Sequence, residues 1–273
     1  MMNYFLASPE EFSVDYVINP WMDGQVGELN KEIAMKQWLS LKSILEKKGI
    51  NVYTIPCTKK NPDIVFTANS AIAHNGKVVV ANFTNAERKG ETPINIKFFE
   101  TLYAPENILI LPENIFQEGA GDALLDRNLR EKSLLFAGSG FRSQRESYPL
   151  IQDFLDIEIE ILELIHPEYY HLDISLAPLD GGHLIYAPQS FTDESVAKIE
   201  KNIPKEKRII LSQKDLDAFN GNAVNIGETV IVNNASSQLT KDLNDKGYEV
   251  INNNISEFKK SGGGNKCLTL RLE

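Results

Sequence analysis

Apolar and polar positions along this chain repeat as short modules. Five apolar segments each end in small or polar residues followed by a turn, which is the pattern of a buried strand. Most of them precede a stretch with apolar residues three and four positions apart, which predicts a helix, and then a second apolar strand. The five segments cover residues 3–8, 77–82, 133–138, 183–188 and 229–234. The chain is therefore predicted to consist of strand–helix–strand units.

The spacing of these units indicates a repeat architecture. The last four apolar segments recur about every 45–55 residues, an interval typical of propeller-like and repeat folds. No Pro/Ser-rich linker or low-complexity run divides the chain, so residues 1–273 are predicted to form one α/β domain. An ordinary mixed α/β sheet protein stays open as the alternative. Helices are predicted at 28–48, 143–155, 192–202 and 236–246, and second strands at 52–55, 157–164, 208–211 and 248–251.

Composition and charge limit the classes of function. Hydrophobic residues make up 42% of the 273 and charged residues 24%, which is ordinary for a globular protein. The net charge of −10 argues against nucleic acid or an anionic membrane as a partner, but not against a cationic small molecule. Two well-separated cysteines, the absence of a basic N-terminal leader and the absence of an apolar run of membrane length favour a cytoplasmic protein.

The C-terminal tail carries the most informative pattern. Three glycines, Gly262-Gly263-Gly264, precede Cys267, and a short apolar segment predicted as a strand runs from there to Glu273. A tail without a role would be polar and frayed. Glycine permits backbone conformations that other residues avoid, so this segment indicates a thiol held at a fixed position. By itself the pattern leaves three roles open for this thiol: inert, metal ligand or nucleophile.

A histidine and two carboxylates are candidates for acid/base chemistry. His171 and Asp173 stand two positions apart, which on a strand places both side chains on one face. For this pattern alone, a half-buried strand with its polar face to water is the better explanation. Glu118 and Asp122 lie in a glycine-rich turn, where the backbone can approach a ligand closely. A metal site is disfavoured, because the acidic spacing is too sparse for a hard ion and the Cys and His too scattered for zinc.

Other candidates follow predicted strands. Residues 61–70 are predicted as a turn that leads into a strand ending on Asn69. Arg88 and Arg142 each follow one of the repeated strands, and arginine binds carboxylates bidentately. Lys89 competes with Arg88 for that role, and surface exposure is the alternative for both arginines. Cys57 is predicted to be a small buried hydrophobe.

Taken together, the motifs resemble the guanidine-modifying pentein superfamily. This group includes arginine deiminases, arginine dihydrolases, dimethylarginine dimethylaminohydrolases and amidinotransferases. The resemblance extends from Tyr16 to Cys267 and implies a five-bladed α/β propeller, with no metal or organic cofactor. Five short motifs carry it by their order: Pro-Asp-x-Val-Phe-x-x-Asn (62–69), Glu-Gly-x-Gly-Asp (118–122), His-Leu-Asp (171–173), Pro-Leu-Asp-Gly-Gly (178–182) and Gly-Gly-x-x-x-Cys (262–267).

The resemblance also implies roles for the candidate residues. Cys267 would attack the central guanidinium carbon, and His171 would act as general acid and base. Glu118 and Asp173 would hold the guanidinium. The residues that would bind and orient the rest of the substrate are Asn19, Asn69, Arg88 and Arg142.

Two departures favour one branch of the superfamily. Dimethylarginine hydrolases typically carry Lys where Asp173 stands, so free arginine is favoured over methylated arginine. Deiminases and dimethylarginine hydrolases usually carry Asp at the position of Asn69. Together with Ile-Asn-Pro-Trp-Met at 18–22, this asparagine looks like the arginine dihydrolases, which convert arginine to ornithine, ammonia and carbon dioxide.

Several alternatives stay open. Within the superfamily they are a deiminase that stops at citrulline, a dimethylarginine hydrolase, and an amidinotransferase that uses an amine in place of water. Outside it, a non-catalytic propeller-like binding protein is the alternative, since a related fold occurs in a ribosome-associated factor. A homo-oligomer is neither required nor excluded by the sequence.

Overall fold

Five three-stranded sheets make up the computed structural model, which describes residues 2–126, 128 and 131–272. In each sheet the middle strand is parallel to one neighbour and antiparallel to the other. This fivefold repeat confirms the predicted α/β propeller. In chain order the strands are β1 (Asn3–Ser8), β2 (Asn51–Pro56), β3 (Ala71–His74), β4 (Lys77–Val80), β5 (Ile108–Ile110), β6 (Ala123–Leu125), β7 (Leu134–Ser139), β8 (Glu158–Glu163), β9 (Leu176–Pro178), β10 (Leu184–Tyr186), β11 (Arg208–Ile210), β12 (Val224–Ile226), β13 (Thr229–Val232), β14 (Glu249–Asn252) and β15 (Leu270–Leu272).

Helices connect the parallel strands. Parallel neighbours cannot be joined by a tight hairpin, so each pair needs a crossover segment. Five of the helices provide these crossovers: α1, α2, α3, α5 and α7. The helices are α1 (Lys31–Lys47), α2 (Glu91–Phe99), α3 (Ser147–Leu155), α4 (Leu172–Ser175), α5 (Asp193–Asn202), α6 (Gln213–Asp217), α7 (Ser237–Asp245) and α8 (Ser256–Lys259).

The middle strands β1, β4, β7, β10 and β13 match the five predicted apolar segments. The helical predictions are confirmed as well, but α1 begins at Lys31 rather than at residue 28, and α3 begins at Ser147 rather than at residue 143. At the start of α1 the Asn30 side chain accepts a hydrogen bond from Ile33 N, because an unpaired N–H in the first turn needs an acceptor. The apolar pattern did not identify α2 or β5.

The C-terminal strand completes the first sheet. β15 pairs antiparallel with β1, so that Asn3 faces Leu272. This pairing brings the tail back across the N-terminal strand and fixes the segment that carries Cys267. The Cys267 carbonyl accepts a hydrogen bond from Ala68 N at 3.0 Å, which also ties it to the second sheet unit.

Three local predictions were wrong. Residues 61–70 contain two short 3-10 helices, 62–65 and 67–70, and the strand begins only at Ala71. His171 precedes α4, which contains Asp173, so these two residues do not share a strand. Cys267 lies in a turn, and the last strand begins at Leu270. In each case side-chain hydrogen bonds from distant parts of the chain stabilise the turn, and periodicity cannot reveal such bonds.

Five clusters of buried apolar side chains form the core. The first joins Leu6 of β1 and Leu41 of α1 with Leu268, and it includes both Cys57 and Cys267. Cys57 is thus buried, as predicted. Among the described residues, no helix is both long enough and apolar enough to cross a membrane.

Candidate active site

The glycines before Cys267 occupy positions that a larger residue could not. Gly262 has φ +81°, and a Cβ there would lie 2.7 Å from Tyr170 Oη. A Cβ on Gly263 would lie 2.1 Å from the ring of Phe66. The predicted need for glycine on the approach to the thiol is therefore confirmed.

Cys267 is buried beside a carboxylate. Its Sγ lies 3.5 Å from Asp173 Oδ2 and 3.7 Å from Oδ1, so the thiol donates a hydrogen bond to this carboxylate. Burial disfavours the charged thiolate, and the negative charge of Asp173 disfavours it further. Together they raise the pKa of Cys267 well above its ordinary value. The thiol form of Cys267 is thus favoured near neutral pH, unless a cation binds beside the sulfur.

A short helix places Asp173 at the sulfur and His171 at the cavity wall. Asp122 Oδ1 accepts a hydrogen bond from Leu172 N at 2.9 Å, and its Oδ2 accepts one from Ser143 Oγ at 2.7 Å. This carboxylate therefore stabilises the start of α4, which positions His171 and Asp173 without a strand. Burial raises the pKa of Asp173 to about 6, against the opposing effect of the Lys266 charge.

Asn222 was not identified from the sequence, yet its amide contacts Cys267 twice. Its Nδ2 donates to Cys267 Sγ at 3.0 Å, and its Oδ1 accepts from Cys267 N at 3.0 Å. It lies in the segment between α6 and β12, in the local sequence Asn220-Gly221-Asn222, which is an ordinary turn composition. No sequence signal distinguishes it, because its role depends on a contact across 45 residues.

Glu118 pairs with two basic side chains, the imidazole of His171 and the guanidinium of Arg142. His171 Nε2 lies 2.8 Å from Glu118 Oε2, and Arg142 Nη1 donates to the same oxygen at 3.0 Å. Thr84 N donates to Oε1 at 3.3 Å. Burial by itself would raise the pKa of Glu118, but the Arg142 charge and the His171 hydrogen bond hold it well below its usual range. Glu118 is therefore an anion that orients the imidazole.

Asn69 is held between Arg88 and the glycine-rich turn. Arg88 Nη1 donates to Asn69 Oδ1 at 2.9 Å, and Asn69 Nδ2 donates to the Glu118 carbonyl at 3.3 Å. These contacts orient the amide, since the oxygen must face the guanidinium donor. A Cβ on Gly121 would lie only 2.1 Å from Asn69 Nδ2, so glycine is required for this close approach.

Arg88 is buried, whereas Lys89 is exposed. The Arg88 guanidinium forms two hydrogen bonds to Glu91, from Nε at 2.8 Å and Nη2 at 2.9 Å, and lies over the Phe83 ring at 4.5 Å. Burial raises the pKa of Glu91 to about 7, although the Arg88 charge acts in the opposite direction. Of the two competing cations, only Arg88 lines the cavity.

The loop between β1 and α1 covers the site. Asn19 Nδ2 donates to the Ser261 carbonyl at 3.1 Å, and Arg142 Nη2 donates to the Ile18 carbonyl at 2.9 Å. Tyr170, which also lines the cavity, donates from Oη to the Gly262 carbonyl at 2.8 Å. The covering loop is therefore fastened directly to the segment that leads to Cys267.

Asp63 is a second buried carboxylate that the sequence analysis did not select. It accepts hydrogen bonds from Tyr16 Oη at 2.8 Å and Ser261 Oγ at 3.0 Å. Burial raises its pKa, against the opposing charge of Arg88. Its place in the Pro-Asp-x-Val-Phe motif was the one available signal, since a buried Asp and a surface Asp look alike in a single sequence.

These side chains meet at one small cavity. Six of the eight predicted site residues line it, and Glu118 and Asp173 lie directly behind His171 and Cys267. Among the described residues, no group of three or more His, Cys, Asp or Glu side chains has the arrangement of a metal site. The lining residues are Ile18, Asn19, Met22, Asp63, Phe66, Asn69, Arg88, Arg142, Tyr170, His171, Ser261, Gly262, Gly263 and Cys267.

Comparison with known proteins identifies the family. A model of the family described as eukaryotic N,N dimethylarginine dimethylhydrolase matches residues 3–273. The N(G),N(G)-dimethylarginine dimethylaminohydrolase of Mycobacterium tuberculosis is 32% identical, over 98% of this chain and 85% of its own length. The bifunctional arginine dihydrolase/ornithine cyclodeaminase ArgZ of Synechocystis sp. is 41% identical over 98% of this chain, but only 37% of its own length.

Solved structures agree with this result. A crystal structure of the N-terminal domain of ArgZ, a Cys-to-Ser variant with substrate bound, superposes with a TM-score of 0.95 and 40% identity. The match covers 100% of this chain and 98% of that domain, which is described as an arginine dihydrolase from the ornithine–ammonia cycle in cyanobacteria. The present chain spans less than two fifths of the full bifunctional relatives, and matches the N-terminal domain of ArgZ.

Proposed function

Because this chain belongs to the dimethylarginine dimethylaminohydrolase family of guanidine-modifying enzymes, we propose that it hydrolyses the guanidinium group of free L-arginine, as an arginine dihydrolase. The products would be ornithine, carbon dioxide and two molecules of ammonia. The observation that carries this proposal is the pairing of Cys267 with Asp173 in the same buried cavity as the neutral amide of Asn69.

The Cys267–Asp173 pair favours a cation as substrate. Both groups are buried, and the pKa of each is raised, so a second negative charge cannot form there at low cost. A guanidinium placed beside the sulfur and the carboxylate supplies the missing positive charge. It would stabilise the thiolate at the moment when the nucleophile is needed.

The first half of the reaction makes a covalent intermediate. As the guanidinium binds, Cys267 loses its thiol proton to solvent, and the thiolate Sγ forms a bond to the guanidinium carbon while one C–N bond breaks. The protonated imidazole of His171 gives its proton to the departing nitrogen, which leaves as ammonia. A thiouronium bound to Cys267 is left. Glu118, 2.8 Å from His171 Nε2, holds the imidazole in place.

Water completes the first turnover. His171, now neutral, removes a proton from a water molecule, whose oxygen attacks the thiouronium carbon. The C–S bond breaks, the thiolate leaves, and citrulline is formed. A second cycle of attack and hydrolysis at the ureido carbon releases the second ammonia and a carbamate, which loses carbon dioxide to give ornithine.

Asn69 supports the second cycle. Its Nδ2 carries two N–H groups, one of which donates to the Glu118 carbonyl. The other can donate to the ureido oxygen of citrulline, and so keep this neutral intermediate bound. An aspartate at position 69 would keep the Arg88 contact with one oxygen, but its second oxygen would face the Glu118 carbonyl. That repulsion, together with the lost donor, favours release of citrulline.

The cationic wall of the cavity supports an amino-acid substrate. Arg88 and Arg142 both line it, and either can donate to an α-carboxylate. Arg88 already gives three of its N–H groups to Glu91 and Asn69, so we assign the main carboxylate contact to Arg142. Asn19 would orient the amino-acid end from the covering loop.

Dimethylarginine hydrolysis is the second candidate, because both the family model and the mycobacterial relative carry that name. Asp173 argues against it, since a carboxylate matches a guanidinium with free N–H groups better than a methylated one. An amidinotransferase would need an amine acceptor in place of water.

Product analysis separates these activities. Purified protein is incubated with arginine, without metal or acceptor amine, and the products are identified by mass spectrometry. We expect ornithine and ammonia without lasting citrulline, and no products from the Cys267→Ser variant. Citrulline as the end product would mean a deiminase. Turnover of methylated arginine alone, or only with an added amine, would replace the proposal with the corresponding relative's activity.

The Asn69→Asp variant tests the assignment of Asn69. We expect it to release citrulline, with ornithine formation reduced about 10- to 100-fold, an effect of about 1.5–3 kcal/mol for one lost hydrogen bond to a charged or critical group. Asn85→Asp makes the same chemical change on a partly exposed neighbouring loop, and should leave the product ratio unchanged. Normal ornithine production by Asn69→Asp would contradict the role of this amide.

A further inference from the structure

Asn222 is a fully buried amide at the reacting atom to which the mechanism above gives no role. Its two ends contact the sulfur and the backbone nitrogen of Cys267, each at 3.0 Å. Its Nδ2 also donates to the Asp173 carbonyl at 3.1 Å. One side chain therefore bridges the two residues whose relative position determines the reactivity of the thiol.

The orientation of this amide is determined by its partners. The Cys267 backbone N–H can only donate, so the atom facing it must be Oδ1. Nδ2 is consequently the atom directed at the sulfur. Its two N–H groups match its two acceptors, Cys267 Sγ and the Asp173 carbonyl, and a reversed amide would place donors against donors.

The backbone on both sides is shaped to admit Asn222. A Cβ on Gly221 would lie 2.1 Å from the Ile174 carbonyl oxygen, and one on Gly264 would lie 2.6 Å from Asn222 Oδ1. The Lys266 N–H also donates to the Asn222 carbonyl. Glycine at both positions brings the segment before β12 within hydrogen-bond distance of the nucleophile.

The electrostatic surroundings of Cys267 Sγ indicate what the hydrogen bond from Asn222 does. Burial and the Asp173 carboxylate both oppose a negative charge on Cys267 Sγ, and the N–H of Asn222 acts in the opposite direction. An N–H donor to an anion forms a stronger hydrogen bond than one to a neutral acceptor. The contact therefore strengthens when the sulfur becomes charged, both before attack and when the thiolate leaves.

We propose that Asn222 is a further catalytic residue, whose amide N–H stabilises negative charge on Cys267 Sγ while its carbonyl oxygen holds the nucleophile in place. This inference rests on the proposed function only in taking Cys267 as the nucleophile. It makes no assumption about which guanidine is the substrate.

Thiol reactivity provides the test. The rate at which iodoacetamide labels Cys267 is followed against pH by mass spectrometry of the peptide, which separates it from Cys57. For Asn222→Ala and Asn222→Asp we expect profiles moved to higher pH, with labelling near neutral pH slowed about 10-fold or more. Asn222→Asp keeps the acceptor for Cys267 N but loses the donor to the sulfur. For arginine, kcat should fall by a similar factor while KM changes little.

Asn220→Ala is the matched control. Asn220 is equally buried in the same segment, where it accepts from Asn233 N at 2.9 Å and donates to Asp215 Oδ1 at 3.1 Å. Its loss should lower the melting temperature without moving the labelling profile. An equal shift in this control, or no shift in the Asn222 variants, would overturn the proposal.

A measurement on the wild type covers the case in which the Asn222 variants fail to fold. The side-chain amide signal of Asn222 in a nitrogen-15 NMR spectrum should titrate with the same midpoint as thiolate absorbance at 240 nm. It should not titrate in the Cys267→Ser variant. An amide signal insensitive to thiol ionisation would overturn the proposal. Failure of the arginine assay alone, with these signals as expected, would count against the proposed substrate and not against Asn222.

Discussion

Two buried carboxylates at the cavity, Asp173 and Glu118, have opposite electrostatics. Both are completely buried, and burial by itself raises the pKa of each. At Glu118 the charges of Arg142 and His171 outweigh burial, and its pKa falls well below the usual range. At Asp173 burial outweighs the charge of Lys266, and its pKa is raised to about 6.

This difference shows how one site divides two tasks. The Glu118 side is fully paired before substrate arrives, so it can hold His171 and Arg142 in fixed positions. The Asp173 side, with the neutral thiol of Cys267, has an excess of potential negative charge. A cationic guanidinium would neutralise this excess negative charge. The sequence resemblance implies that both carboxylates hold the substrate, and in the structure Glu118 is also hydrogen-bonded to His171 and Arg142.

Asp173→Asn should have the largest effect on activity in this comparison. Removing a buried charged partner costs about 2–5 kcal/mol, so we expect kcat/KM for arginine to fall roughly 30- to 5,000-fold. The labelling profile of Cys267 should move in the opposite direction, to lower pH, because Asp173 raises the pKa of the thiol. Iodoacetamide labelling and steady-state kinetics on one preparation measure both effects.

Asp153→Asn, on the exposed side of α3, is the control for removal of one negative charge. It should change neither the kinetics nor the labelling profile. If the pH profile of Cys267 labelling is unchanged in Asp173→Asn, the carboxylate does not act on the thiol. The electrostatic contrast between Asp173 and Glu118 would then be wrong.

Glu118→Gln should lower the stability of the fold as well as the activity that depends on the position of His171. Breaking a buried ion pair on one side costs about 3–5 kcal/mol, because Arg142 is left without its anion. The folded state lowers the pKa of Glu118, so its contribution is present above the ordinary glutamate range and lost as pH falls. Urea unfolding at pH 7 and at pH 3 to 4 should show a large difference between variant and wild type that shrinks at the lower pH.

The exposed pair Arg145–Glu163 provides the control for Glu118→Gln. Its charged atoms lie 3.0 Å apart, as in the Arg142–Glu118 pair, but both side chains are about half exposed. Glu163→Gln should change the free energy of unfolding by about 0–1 kcal/mol. Equal costs for the two variants would show that burial does not distinguish these pairs.

Lys89→Ala should have the smallest effect. Lys89 is exposed and lies over the Phe116 ring at 5.4 Å, whereas its neighbour Arg88 lines the cavity. We expect kcat/KM within about twofold of wild type and stability within about 0.5 kcal/mol. A large rise in KM for arginine would mean that the segment between β4 and α2 brings Lys89 to the substrate, and that Lys89 rather than Arg88 is the cation that binds it.

The sequence predicted elements more accurately than it predicted turns. The middle strands and four crossover helices follow from apolar periodicity, since burying one face of each element is a local requirement that the residues must satisfy. His171, Asp173 and Cys267 were identified by motif order but were placed on strands. Each lies instead in a helix start or turn, because Asp122 stabilises α4 and Asn222 holds the Cys267 turn.

By itself the sequence determined the repeated modules, the need for glycine before Cys267 and the set of side chains available for chemistry. These features depend on local sterics and on residue type, and a single chain displays both. Tertiary structure alone decided which carboxylate is paired with a cation, that Asn222 contacts the sulfur, and that Asp63 and Glu91 are buried. Charge state and hydrogen bonding at a site depend on distances between residues far apart in the chain, and only folding determines those distances.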